Sequence, residues 1–223
     1  SSPEVVIDIG QIDEMIGIDH EDGRVMVGAA TRYTTVVDDE TFRETCPTVA
    51  AATEVIGDTQ VRNRGTFGGN VAHSDPASDL PGALLAADAT LHARDGTGER
   101  AIDVDDFFEG IYSTALEPGE LLTRIEIPSI GDGAGAYVKK PSPSSGYAIV
   151  GVAARVEHQE STITSARVAA NGAMSHAVRL EPVESALVGE SIDEGTIADA
   201  AETATDGLNT AMLMEDVQAS SEY

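Results

Sequence analysis

A single cysteine, two lysines and no long apolar run set the first limits on this chain of 223 residues. Cys46 alone excludes an internal disulfide, and it excludes an iron–sulfur cluster held by this chain, which would need four thiolates. Standing before Pro47 between two helix-like stretches, it reads as a small buried hydrophobe rather than a nucleophile. No apolar segment approaches the ~20 residues that cross a bilayer, and no basic stretch followed by an apolar one opens the sequence. A soluble, cytoplasmic protein is therefore expected. Cations are scarce as well: 13 Lys plus Arg face 39 Asp plus Glu, for a net charge of -26. Such a charge repels nucleic acid and anionic lipid alike. The acids are spread along the chain, at residues 19–22, 38–40 and 103–106, rather than gathered in one tail. An ordinary acidic protein is one reading of this surface; Lys139 and Lys140 as the only lysines favour a halophilic one. His20, His92, His158 and His176 lack metal-site spacing, His73 stands alone, and no repeat of fixed period is present.

What the chain does contain reads as strands and helices in two units, the second with its strands early and its helix late. Residues 5–9 and 25–29 are β-branched runs bounded by Gly and Asp, so both are expected as strands, joined by a turn over 12–18. Thr34 is a candidate N-cap for a helix carrying Val36, Val37 and Phe42 that ends before Pro47. A second helix over 48–56 stops at Gly57. Residues 58–70 form a polar, glycine-rich loop. A helix then starts with Asp75 as cap and Pro76 in its first position, bearing Leu80, Leu84 and Ala87 on one stripe and Asp79 in its first turns. Strands are expected at 90–93, 99–102 and 122–127, and the acidic run 103–106 as a helix start facing solvent. Residues 131–135, three glycines among five small or polar positions, form the linker. Beyond it lie strands at 136–139, 148–156 and 162–170 and a loop and helix over 191–204. The pattern is α+β, in two units at 1–130 and 136–223.

Residues 62–70 read Arg-Asn-Arg-Gly-Thr-Phe-Gly-Gly-Asn. A phosphate-bearing cofactor needs close backbone approach, amide donors and little bulk, which Gly65, Gly68 and Gly69 around Thr66 would supply. Arg62 and Arg64 place positive charge beside the loop, and screening over ~8 Å lets a local cationic site persist in a polyanionic chain. Glycine pairs beside a threonine most often mark a tight turn, so the motif gains weight from its length. It continues through Ala72-His73-Ser74-Asp75-Pro76-Ala77-Ser78-Asp79-Leu80-Pro81.

That run resembles the signature of the flavin subunits of carbon monoxide dehydrogenase and bacterial-type xanthine dehydrogenases, which share the FAD-binding fold of the vanillyl-alcohol oxidase (PCMH-like) superfamily. The resemblance extends to residues 3–9, 119–128, 137–139 and 148–154. It implies a FAD-binding domain over 1–130 and a carbon monoxide dehydrogenase flavoprotein-like C-terminal domain over 136–223. It implies further that Thr66, Phe67, Gly68, Gly69 and Asn70 wrap the FAD pyrophosphate and ribityl chain. Asp79 would accept bonds from cofactor hydroxyls, Ile56 and Leu122 would give apolar contact, and Lys139 would reach the flavin. A carboxylate suits sugar hydroxyls because it only accepts; against this, Asp79 could simply be a first-turn acid favoured by the helix dipole, and Lys139 a solvated strand-end lysine.

The resemblance also implies partners. A large subunit would carry the molybdenum cofactor and a small one the [2Fe-2S] clusters, with FAD here relaying electrons to an external acceptor and no side chain acting as acid, base or nucleophile. Family members carry an earlier glycine-rich loop before the strand corresponding to residues 5–9. It is absent here, and since the first residue is Ser rather than Met, the chain reads as truncated, lacking the first lobe of the FAD domain. After Lys139, Ser142, Pro143 and Gly146 stand where the family usually shows paired arginines and an acid. A degenerate scaffold subunit that binds no flavin is the alternative left open.

Overall fold

The computed structural model describes residues 4–21, 23–215 and 219–220. Strands β1 (Ile18–Glu21) and β2 (Arg24–Gly28) are followed by helices α1 (Tyr33–Asp38), α2 (Glu40–Thr45), α3 (Pro47–Glu54), α4 (Thr59–Arg62), α5 (Phe67–His73) and α6 (Asp79–Ala87). Strands β3 (Thr90–Arg94) and β4 (Glu99–Asp103), the small hairpin β5 (Phe108–Gly110) and β6 (Ser113–Thr114), and β7 (Leu121–Pro128) complete the first half. Strands β8 (Ala134–Pro141), β9 (Ala148–Gln159), β10 (Thr162–Asn171) and β11 (Val178–Arg179) and helices α7 (Glu181–Leu187) and α8 (Glu194–Glu202) make up the second. Among the described residues the strands form two larger antiparallel sheets, one ordered β1-β2-β7-β3-β4 and the other β11-β10-β9-β8, besides the β5-β6 hairpin. The class is α+β, as expected.

Helix α6 joins the two halves. Its sequence after Asp79 has no polar face, and every one of its residues is buried, the condition for a helix packed on all sides. It contacts β9 and β10 of the second sheet and β7 of the first. Burying Leu80 and Leu84, both fully enclosed, contributes roughly 1.5–3 kcal/mol each. Its last carbonyls lack intrahelical partners, and the second sheet supplies them: Arg155 donates to the Ala87 carbonyl at 3.1 Å and Arg167 to the Leu85 carbonyl at 2.9 Å. Arg155 also reaches the carbonyls of Pro128 and Ser129, so the end of β7 is held by the same side chain.

Several expected elements come out differently. Residues 5–9 form no strand; Val5, Val6 and Ile7 are 74%, 82% and 79% exposed, because a β-branched run becomes a strand only where a ladder partner exists. Pro3 lies outside the described residues. The edge of the first sheet is instead β1, which falls at the end of the expected 12–18 turn and beyond it. The single helix expected after Thr34 is two: Arg32 occupies the N-cap position, and the Asp39 carboxylate accepts from the Phe42 amide at 2.7 Å and caps a new helix. The helix expected from Asp75 begins at Asp79, with Ser78 extended before it; Asp75 caps a turn through the Ala77 amide at 2.9 Å. The expected 131–135 linker is strand from Ala134 onward. A Cβ at Gly135 would lie 2.1 Å from Thr48 Oγ1, so this glycine lets β8 lie close against α3 rather than conferring flexibility. The acidic run is, as expected, an exposed helix start, with Asp103 capping a single 3-10 turn over Val104–Asp106; Asp105 in addition pairs with Arg167 and Arg179.

Candidate functional site

The glycine-rich stretch is the start of a helix. Thr66 pairs across an antiparallel bridge with Arg32, and flanking bonds run from the Tyr33 amide to the Gly65 carbonyl at 3.2 Å and from the Phe67 amide to the Thr31 carbonyl at 2.8 Å. The Gly68 amide donates to the Ala29 carbonyl at 2.8 Å. A Cβ on Gly68 would lie 2.3 Å from the Ala29 Cβ, so glycine is required by this contact. Thr66 is the N-cap of α5, its Oγ1 accepting from the Gly69 amide at 3.2 Å, and the Asn70 amide bonds the Thr66 carbonyl. The expectation that these glycines present several amides to a phosphate is thus corrected: the amides of residues 67–70 are committed within the fold. Donors left to face a ligand here are the Thr66 hydroxyl and amide, and two exposed guanidinium groups, Arg32 and Arg64, without side-chain partners among the described residues. Arg62 is used otherwise, donating to the carbonyls of Ile56 and Gly57 at 3.0 Å each.

Asn70 connects this helix start to the next. Its Oδ1 accepts from Ser78 Oγ at 2.7 Å, and it lies beside the Tyr33 hydroxyl, whose pKa burial raises to about 12 against the opposing influence of the Asn70 side chain. Directly after Ser78 stands Asp79, 4% exposed. One carboxylate oxygen accepts from the Tyr137 hydroxyl at 2.6 Å, the other from Lys139 Nζ at 2.8 Å. Burial pushes the Asp79 carboxyl upward, against the opposing pull of Lys139 and Tyr137. Lys139 donates also to the Val55 carbonyl at 3.3 Å. It lines a cleft of about 510 Å3 whose walls include Val55, Gly57, Val61 and Pro141.

The structure therefore brings together the expected residues Asp79 and Lys139, 60 positions apart, and places Thr66, Gly69 and Asn70 on the neighbouring helix start. Ile56 and Leu122 lie inside, 8% and 5% exposed; the apolar surface open to the cleft is that of Val55 and Val61. Phe67 and Gly68 are buried as well. Three polar residues went unnoticed in the sequence. Tyr137 sits two positions before Lys139 and so shares its face of β8, a signal that period alone carried. Tyr33 and Asn171, which contacts Tyr137, have none, since only tertiary packing brings them here.

A flavin dinucleotide needs acceptors for its hydroxyls, cations for its phosphates and an apolar wall for its ring. The residues present fit these needs: Asp79 retains unused lone pairs beyond its two bonds, Arg32 and Arg64 have no side-chain partner among the described residues, and Val55 and Val61 line the cleft beside Lys139.

Comparison with known proteins agrees with this chemistry. Residues 1–130 match the family described as the FAD binding domain in molybdopterin dehydrogenase, and residues 135–223 the carbon monoxide dehydrogenase flavoprotein C-terminal domain. The glyceraldehyde dehydrogenase medium chain of Sulfolobus acidocaldarius is 31% identical over 93% of this chain and 74% of its own length. The carbon monoxide dehydrogenase medium chain of Hydrogenophaga pseudoflava is 33% identical over 92% of this chain and 71% of its own. Among solved structures, a carbon monoxide dehydrogenase from Hydrogenophaga pseudoflava lacking the Mo-pyranopterin moiety superimposes with a TM-score of 0.92 at 31% identity, covering 100% of this chain and 77% of that one.

Proposed function

Since the chain belongs to the family of FAD-binding subunits of molybdopterin dehydrogenases, we propose that it is the electron-transferring flavin subunit of a molybdenum hydroxylase. When bound, FAD would supply the redox chemistry, taking electrons from iron–sulfur clusters of a partner subunit and giving them to an external acceptor. The contribution of this chain is to bind and orient. Thr66 and Asn70 would hold the pyrophosphate and ribityl portion, with Arg32 and Arg64 adding the positive charge that the committed amides of residues 67–70 do not. Asp79 would accept from cofactor hydroxyls, and Lys139 would direct its remaining proton into the cleft. The single observation that carries this reading is the pairing of Asp79 with Lys139 beside the α5 start and the cleft. The molybdenum and iron–sulfur centres would reside on a large and a small partner subunit, in a cytoplasmic complex.

The test is to purify the full chain with the subunits that accompany it. A yellow preparation bleached by dithionite is the expected result; a folded, colourless and flavin-free one overturns it. Thr66→Val combined with Asp79→Ala should release FAD on gel filtration, and full retention would show that the cofactor lies elsewhere. A second reading, a scaffold subunit that binds no flavin, is favoured by one observation, the inward commitment of the amides from Phe67 to Asn70. The same preparation separates the two.

A further inference from the structure

The buried Asp79–Lys139 pair is held from behind by a contact that no motif announces. Tyr137 Oη lies 2.6 Å from Asp79 Oδ1 and 3.2 Å from the side-chain oxygen of Asn171. A phenol has one proton, and the shorter contact, to a carboxylate, takes it. The second contact is a hydrogen bond only if Asn171 turns its NH2 group toward Tyr137, a rotation that exchanges its oxygen and nitrogen and that the network must decide. The same rotation relieves the Asn171 Nδ2, which is otherwise buried with no partner among the described residues; the carbonyl oxygen that takes its place is the less costly group to leave unpaired. The network then runs one way: Asn171 donates to Tyr137, and Tyr137 to Asp79.

The surroundings are shaped for it. Gly151 stands opposite both Lys139 on β8 and Asn171 on β10, and a Cβ there would lie 2.0 Å from Tyr137 Oη. On the facing helix, a Cβ at Gly82 would lie 2.7 Å from the Asn171 side chain. A glycine on each flanking element thus leaves the space in which the phenol and the amide meet.

We propose that Tyr137 and Asn171 are positioning residues, which hold Asp79 in the orientation that grips Lys139 and presents the pair to the cofactor. The inference rests on the flavin reading for its ligand, though the relay itself does not. The charged and titratable groups facing Asp79 are Lys139 and Tyr137 from β8, Tyr33 from α1 and Tyr147 from the turn after β8. Removing the Tyr137 proton donor leaves the buried carboxylate with Lys139 alone, so its ionised form is less favoured.

The experiment follows the Asp79 carboxyl carbon by 13C NMR in the full chain, assigned by its loss in Asp79→Asn, alongside a fluorescence titration with FAD. In Tyr137→Phe the Asp79 titration should move to higher pH and FAD should bind about ten-fold more weakly. In Asn171→Leu, which removes the donor to the phenol, a smaller shift in the same direction is expected. An unchanged titration in Tyr137→Phe overturns the proposal. A shift to lower pH in Asn171→Leu does so too, because it would mean that Asn171 competes for the phenol proton. A wild-type chain that binds no FAD while its Asp79 titration responds as described would remove the cofactor reading and leave the relay standing.

Discussion

Replacing Lys139 with Met tests the central feature of the site, a buried ion pair whose two side chains are 6% and 5% exposed. Methionine keeps the length and apolar stem of lysine but leaves the Asp79 carboxylate with the Tyr137 hydroxyl as its one remaining bond. Removing one partner of a buried pair costs about 3–5 kcal/mol, because the remaining charge is stranded. For a domain of this size, about 2–4 °C per kcal/mol translates that into a fall of roughly 6–20 °C in the midpoint of thermal unfolding. The loss also depends on pH with a definite sign. Burial already raises the folded-state pKa of Asp79, and removal of the ammonium raises it further. A carboxyl whose folded pKa lies above its unfolded value contributes stability that is fully present at low pH and disappears as pH rises through the folded pKa. The gap between wild type and Lys139→Met should therefore narrow as the solution is acidified. Circular dichroism melts of both proteins across the acid-to-neutral range measure it. A fall of less than 2 °C at neutral pH, or a gap that widens in acid, would refute the reasoning, since either result means that the pair is hydrated or unpaired in solution. Replacing both partners, as Lys139→Met with Asp79→Leu, should recover much of the loss.

Other perturbations reach the fold around the site. Gly68→Ala sets a Cβ 2.3 Å from that of Ala29, an overpacking expected to cost about 1–3 kcal/mol and read as a lower urea midpoint with an unchanged slope. Arg32→Ala with Arg64→Ala removes two exposed cations near Thr66; stability should stay within about 0.5 kcal/mol, while FAD affinity falls and loses much of its salt dependence in a fluorescence titration. The α8 cap, Asp193, is held below the usual carboxylate range by the Thr196 amide. Its contribution is present above the unfolded pKa and vanishes as pH falls through the depressed one, so protection of the Thr196 amide, taken relative to its intrinsic exchange rate at each pH, should be lost only in strong acid, and Asp193→Ala should remove it across the range.

Much of the framework could be read from residues close together in the chain. Strands at residues 90–93, 99–102 and 122–127 lie where they were expected, the helix expected over 48–56 is present but ends at Glu54, before the expected stop at Gly57, and Asp79 and Lys139 were candidates from the long motif and the segment beyond it, because a family signature is local in sequence. Local reading failed where a second segment had to take part. The run at residues 5–9 has every property of a strand except a partner. Gly65 and Gly68 looked like parts of a loop, since what stands against them, Tyr33 and Ala29, lies upstream and far off in the chain. The linker glycine Gly135 looked flexible until Thr48 was found against it.

Sequence alone determined the -26 charge, the exclusion of an internal disulfide and of a four-thiolate iron–sulfur cluster, and the residue types able to meet a dinucleotide. Tertiary structure alone decided that Asp79 spends its charge on Lys139, that the amides of residues 67–70 turn inward, and that Tyr137 and Asn171 stand behind the pair. Composition and period are properties of neighbouring residues, whereas a buried ion pair exists only once packing has removed water from two groups 60 positions apart.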